Sequence, residues 1–130
     1  MNNEKVEYWL DLAEYDLKTA EVMLKGRRYL YVGFMCHQVI EKTLKACSWY
    51  FLGKEPEFTH SLSRLLRSSG IDKKIFSEHI ELLDILEPMN IEAHYPIQKE
   101  KLLHSLTRKR CKELLKKTKE FYLWIKTMLL

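Results

Sequence analysis

Between Tyr31 and Phe51, apolar and polar positions alternate with the period of an α-helix. Val32, Cys36, Val39, Ile40, Thr43, Leu44, Ala46 and Cys47 fall on one arc, the pattern of a helix that buries one side. Gln38, Glu41, Lys42 and Lys45 recur three, four and seven residues apart and share the other side. Phe34 and Trp49 lie in that polar flank. Charged groups framed by aromatics suit a groove or an interface better than open water.

The same periodicity predicts four more helices. The first spans roughly Glu4 to Lys25, with Val6, Trp9, Leu10, Ala13, Leu17, Ala20 and Leu24 as its stripe and Gly26 as its stop. Asp16 sits at the edge of that stripe. A carboxylate there needs a donor, and Lys42, Lys45 and His60 are the candidates. The second helix closes near Gly53. A third is expected from His60 to Arg67 with Thr59 as cap, and a fourth from Lys73 to Glu87 with Asp72 as cap and Pro88 as terminator. The fourth would turn Ile75, Phe76, His79, Ile80, Leu83 and Leu86 inward. The last helix is expected to run unbroken from about Gln98 to the end, on Leu102, Leu103, Leu106, Leu114, Phe121, Ile125 and Met128. Short loops make neighbouring long helices antiparallel. The fold class is therefore all-α, an antiparallel bundle of about five helices with a four-helix up-and-down core, in one domain over residues 1–130.

Composition agrees. With 130 residues, 46% of them hydrophobic, and only four Gly and three Pro, the chain has material for one core and little for tight-turned sheets. No apolar run reaches membrane-spanning length. The start, Met-Asn-Asn-Glu-Lys, carries no secretory signal, so a cytoplasmic protein without membrane attachment is expected. Cys36 and Cys47 point to the apolar side of one helix, and Cys111 is distant. Three reduced, buried thiols are the expectation, with no metal site and no cofactor. There is no glycine-rich phosphate loop and no nucleophile elbow. The net charge of +4 is unevenly placed. Lys99, Lys101, Arg108, Lys109, Arg110, Lys112, Lys116, Lys117 and Lys119 cluster late, whereas Glu4 to Glu21 is acidic. The basic run reads either as a solvated face or as a stripe that attracts phosphate.

Side-chain chemistry concentrates at Asn90, Glu92, His94 and Tyr95, an irregular stretch between helices. His94 is a candidate proton carrier. If the second and last helices pack side by side, this bend lies over the polar flank of the second. Gln38, Glu41, Lys42, Lys45, Asn90, Glu92, His94 and Tyr95 then form one site for a nucleotide or RNA, with Phe34 or Trp49 as a stacking surface.

The run Phe34-x3-Gln38-x2-Glu41-Lys42-x2-Lys45-Ala46 resembles the second helix of the HEPN family (higher eukaryotes and prokaryotes nucleotide-binding domain). Trp9-x3-Ala13-x2-Asp16-Leu17-x2-Ala20 is similar to that family's opening helix, His60-Ser-Leu62-x2-Leu65 to its third, and Asn90 to Pro96 to its aromatic-Ile-x-Ala-Arg-Tyr-Pro segment. The resemblance implies a helical bundle that pairs as a homodimer and binds nucleotide or RNA. It also implies a partner, a small nucleotidyltransferase in a toxin–antitoxin-like pair. Many HEPN proteins are metal-independent ribonucleases that use an Arg followed four to six residues later by a His. Here His94 stands in place of the Arg, and the nearest imitation is Lys99-x4-His104, without the bidentate fork of Arg. That departure leaves His94, Lys99 and His104 as the residues of a divergent nuclease, the alternative to a binding module. A purely structural dimerisation domain is the third reading.

Overall fold

The α2 helix, Tyr29–Cys47, is the centre of the molecule. Eleven of its nineteen residues are buried, more than one apolar stripe supplies, because neighbours cover it on several sides. The predicted arc from Val32 to Cys47 is inside it without exception. The computed structural model describes residues 2–130 and consists, within them, of six α-helices with no strand. α1 is Asn2–Lys25, α3 Leu62–Ser68, α4 Ser77–Leu86, α5 Pro96–Ser105 and α6 Arg108–Leu129. The all-α bundle predicted from the sequence is what forms. α1 packs against α2, and α6 packs against both. Tyr122 on α6 is buried and donates its hydroxyl to the Leu10 carbonyl on α1 at 3.3 Å.

Several boundaries differ from expectation for local reasons. α1 stops where foreseen, but the left-handed residue of its terminus is Arg27 (φ 59°) and not Gly26. α2 continues into one π-helical turn, Ser48–Leu52, and ends on Gly53, whose left-handed φ of 61° a glycine adopts freely. α3 starts at Leu62 under a Ser61 cap that accepts the Arg64 N–H; Thr59 instead accepts the Ser61 N–H at 3.1 Å. α4 is shorter than its pattern. Residues 71–76 are irregular, with Ile71 buried, and Leu82, Leu83 and Leu86 are its core contacts, while Phe76 and Ile80 are exposed.

The expected last helix is two helices. Leu106 leaves helical geometry and buries its side chain, and Thr107 caps α6 by accepting the Arg110 N–H at 3.2 Å. α5 has no buried residue and lies on the surface, whereas α6 carries eight.

Candidate functional site

The polar flank of α2 is a seam between helices. Glu41 is buried and holds Lys45 Nζ at 3.1 Å and His60 Nδ1 at 3.1 Å. His37, fully buried, stands 3.9 Å from the same carboxylate. Lys42 pairs with Asp16 of α1, the donor that a carboxylate at that position requires. Gln38 reaches only its neighbour, with Nε2 3.4 Å from His37 Nδ1. Burial pushes the His37 imidazole below its usual range, against the opposing pull of Glu41 and Glu87, and its Nε2 is buried without a partner. His60 does not open a helix. It is exposed and contributes one hydrogen bond, to Glu41.

Beside this seam α1, Lys45 of α2, Trp49 of the π-helical turn and residues 55–58 line a cleft of 530 Å³. Trp9, Trp49, Tyr8 and Phe58 supply its aromatic surface, and Glu4, Glu55 and Glu57 its acidic rim. Lys45 Nζ lies 5.2 Å from the centre of the Trp9 ring, and Lys5 Nζ 4.8 Å from that of Trp49, both within cation–π range. Tyr8 is 58% exposed and Phe58 fully so, and with the two indoles they form one contiguous aromatic patch. Of the expected site residues this cleft contains Lys45. Of the two expected stacking surfaces it contains Trp49, whereas Phe34 is half-buried and does not line it. Periodicity places Trp9 on the core stripe and does not mark Lys5, Tyr8 or Phe58 as site residues. The signal available was Phe58, a large aromatic in an otherwise polar loop.

The Asn90–Pro96 bend lies elsewhere. α2 and α6 do pack together, but Met89, at the entry to the bend, sits against Gly33. At 1.5 Å per residue Gly33 is about 14–18 Å along α2 from Lys42 and Lys45. The expected single site is thus two separate places, because the chain enters the bend near the start of α2 and not over its polar half. Asn90 is half-buried, and Glu92 and Tyr95 are exposed. The Tyr95 N–H donates to Gln98 Oε1 at 3.0 Å, which starts α5. His94 is half-buried, its Nδ1 has no partner, and it lines a shallow 390 Å³ depression with Pro88, Gln98, Lys101 and Leu102. Lys99 and His104, five residues apart on α5, point about 140° apart around the axis.

The three cysteines are buried free thiols. Burial pushes Cys36 and Cys47 up to about 12 and Cys111 to about 11, so none is a ready nucleophile. Among the described residues no His/Cys/Asp/Glu group has metal-binding geometry, and no helix is long and apolar enough to cross a membrane.

The family model described as HEPN domain matches residues 6–128, nearly the whole chain. The crystal structure of TT1696 from Thermus thermophilus has the same fold, with a TM-score of 0.78, 21% sequence identity and 98% of each chain covered. No curated protein matches the chain in sequence.

Proposed function

The chain belongs to the HEPN domain family, and from that premise we propose that it is a helical binding module for a nucleotide or a short single-stranded RNA. The observation that carries this reading is the cleft between Trp9 and Trp49, where two indoles and two ammonium groups meet in one concave surface. A base stacks on an indole, and Lys5 or Lys45 moves from the ring to the phosphate. The carboxylates of Glu4 and Glu55 suit amino groups on a base edge and oppose a long run of phosphates at this spot, while Glu57 is paired with Arg64. For RNA, the exposed Arg108, Lys112, Lys116 and Lys119 of α6 offer a second contact, since none of them is ion-paired among the described residues.

Titration of mononucleotides and a short oligoribonucleotide at low salt, followed by tryptophan fluorescence, tests the reading. Saturable quenching is expected, and Trp49→Ala weakens binding about tenfold, the effect of losing one stacking contact. No saturable response refutes it and leaves a structural dimerisation domain. The exposed Tyr8 and Phe58 on the cleft rim support a protein contact at the same place. That contact is either the second copy of a homodimer or the small nucleotidyltransferase of a toxin–antitoxin-like pair.

A divergent ribonuclease is the second reading, favoured by the unpartnered buried Nδ1 of His94, which lines one depression with Lys101. Metal-free incubation with RNA decides it. Cleavage lost in His94→Ala supports it, and cleavage unchanged in that variant, or absent throughout, removes it.

A further inference from the structure

A second cleft, of 540 Å³, lies between α4 and α6 and shares no residue with the first. Its volume is that of small-molecule sites, roughly 300–1,000 Å³. Phe76 and Trp124 form its aromatic surface, with buried Phe121 behind them. His79 stacks on Trp124 at 4.4 Å, and its Nδ1 accepts the Phe76 N–H at 3.2 Å. That bond places the ring proton on Nε2 and locks the imidazole as part of the wall. Burial also lowers the His79 pKa, so the ring is neutral near pH 7 and supplies no cation of its own.

The charge of this cleft runs against the net charge of the chain. The chain is +4 overall, yet Glu78 and Glu81 from α4 and Glu120 from α6 line the cleft against a single cation, Lys117. None of the three carboxylates is ion-paired among the described residues. In the first cleft the chain's own Lys5 and Lys45 already lie over the indoles. In the second no lysine or arginine of the described residues lies over Phe76 or Trp124. Aromatic faces without a cation, bordered by unpaired carboxylates from two helices, are complementary to an organic cation with more than one positive centre.

We propose that the α4–α6 cleft binds an aliphatic oligoamine, with ammonium groups held between Glu78, Glu81 and Glu120 and the methylene chain lying on Phe76 and Trp124. The carboxylates set the charge requirement. The aromatic surface sets the requirement for an alkyl chain, which a bare divalent ion cannot meet.

Isothermal titration calorimetry of the full chain with spermidine at moderate salt tests this. Saturable one-to-one binding is expected. The double variant Glu81→Gln/Glu120→Gln should weaken it about tenfold, from loss of two partly screened contacts. Both side chains are on the surface, so the variant should keep its far-UV circular dichroism. Glu100→Gln, a surface carboxylate of α5 that lines neither cleft, should leave the affinity unchanged. Three results each overturn the proposal: no saturable heat at millimolar spermidine, equal affinity in the double variant, or equally tight competition by magnesium or by free arginine. The last would show general charge screening, or a site built for a single guanidinium.

Discussion

The Glu87 carboxylate caps a helix from twenty-five residues away: its Oε2 accepts the Leu62 N–H at 2.7 Å, and its Oε1 accepts the Ser61 hydroxyl at 2.7 Å. The Ser63 N–H adds a longer bond at 3.4 Å. The first turn of α3 thus takes its anion from the end of α4, where the dipole and the free N–H groups favour negative charge. α3 has only seven residues, too few to be stable alone, so this tie to the end of α4 holds its first turn in place.

Removal of the Glu87 charge should therefore loosen α3. Burial pushes its pKa up, but hydrogen bonds from Ser61, Leu62 and Ser63 outweigh that and hold it below its ordinary 4.5. A carboxylate with a depressed folded pKa stabilises the fold above pH 4.5, and the contribution is lost as pH falls through the folded value. Glu87→Gln should cost about 1–2 kcal/mol at pH 7, below the roughly 1.5–3 kcal/mol of a charge-assisted hydrogen bond because the carboxylate is partly exposed. It should also flatten the acid limb of the stability profile below pH 4.5. Urea denaturation of both proteins at pH 7 and pH 3 checks this; a difference that persists unchanged at pH 3 rules out the charge as the cause.

Gly33 is the position where α2 can least accept a side chain. A Cβ there would stand 2.7 Å from Met89 Sδ and 3.3 Å from Leu106 Cδ1. Gly33→Ala gains up to about 1 kcal/mol of helix propensity, but overpacking of this kind costs about 1–3 kcal/mol. A net loss of about 1 kcal/mol is expected in denaturant titration. In a Met89→Ala background the obstruction is largely gone, and the same substitution should become neutral or stabilising. The same loss in both backgrounds would show that Met89 is not what Gly33 accommodates.

Periodicity made the bundle legible because each helix records its buried side in its own residues. The arc from Val32 to Cys47 needed no knowledge of its partners, and Asp16 announced its need for a donor, met by Lys42. The break at Leu106–Thr107 was hidden because the apolar spacing from Leu102 to Leu114 stays nearly in phase across it, so only Thr107 as a cap marked it. The pattern makes α4 too long at its start because Ile75 is apolar for packing against the core and not for helix formation. Of the Trp9–Trp49 cleft only Lys45 and Trp49 were legible as site residues, and its assembly was not. It joins residues from positions 4–9, 45–49 and 55–58, and their meeting depends on the path of a loop that has no periodicity. The bend at Asn90 was legible as chemistry and misplaced in space, since its position follows from where Met89 finds room, at Gly33.

The seam and the proposed nucleotide cleft share Lys45, so they should trade stability against affinity. Its ammonium is held by Glu41 at 3.1 Å while it lies over Trp9 at 5.2 Å. Glu41→Gln keeps the shape and removes the charge. Lys45 then loses its anion, as does His60, and the fold should lose about 2 kcal/mol, less than the roughly 3–5 kcal/mol of a fully buried pair, because His60 is largely exposed. The released ammonium becomes available to a ligand phosphate, so nucleotide affinity should rise severalfold, the worth of a partly exposed ion pair of about 0.5–1 kcal/mol. Asp16→Asn is the control. It unpairs Lys42, which does not line the cleft, and should lower stability without raising affinity. Parallel fluorescence titrations and thermal melts of the two variants separate the outcomes. If Glu41→Gln binds nucleotide no better than the parent, Lys45 belongs to the seam alone and the phosphate contact falls to Lys5.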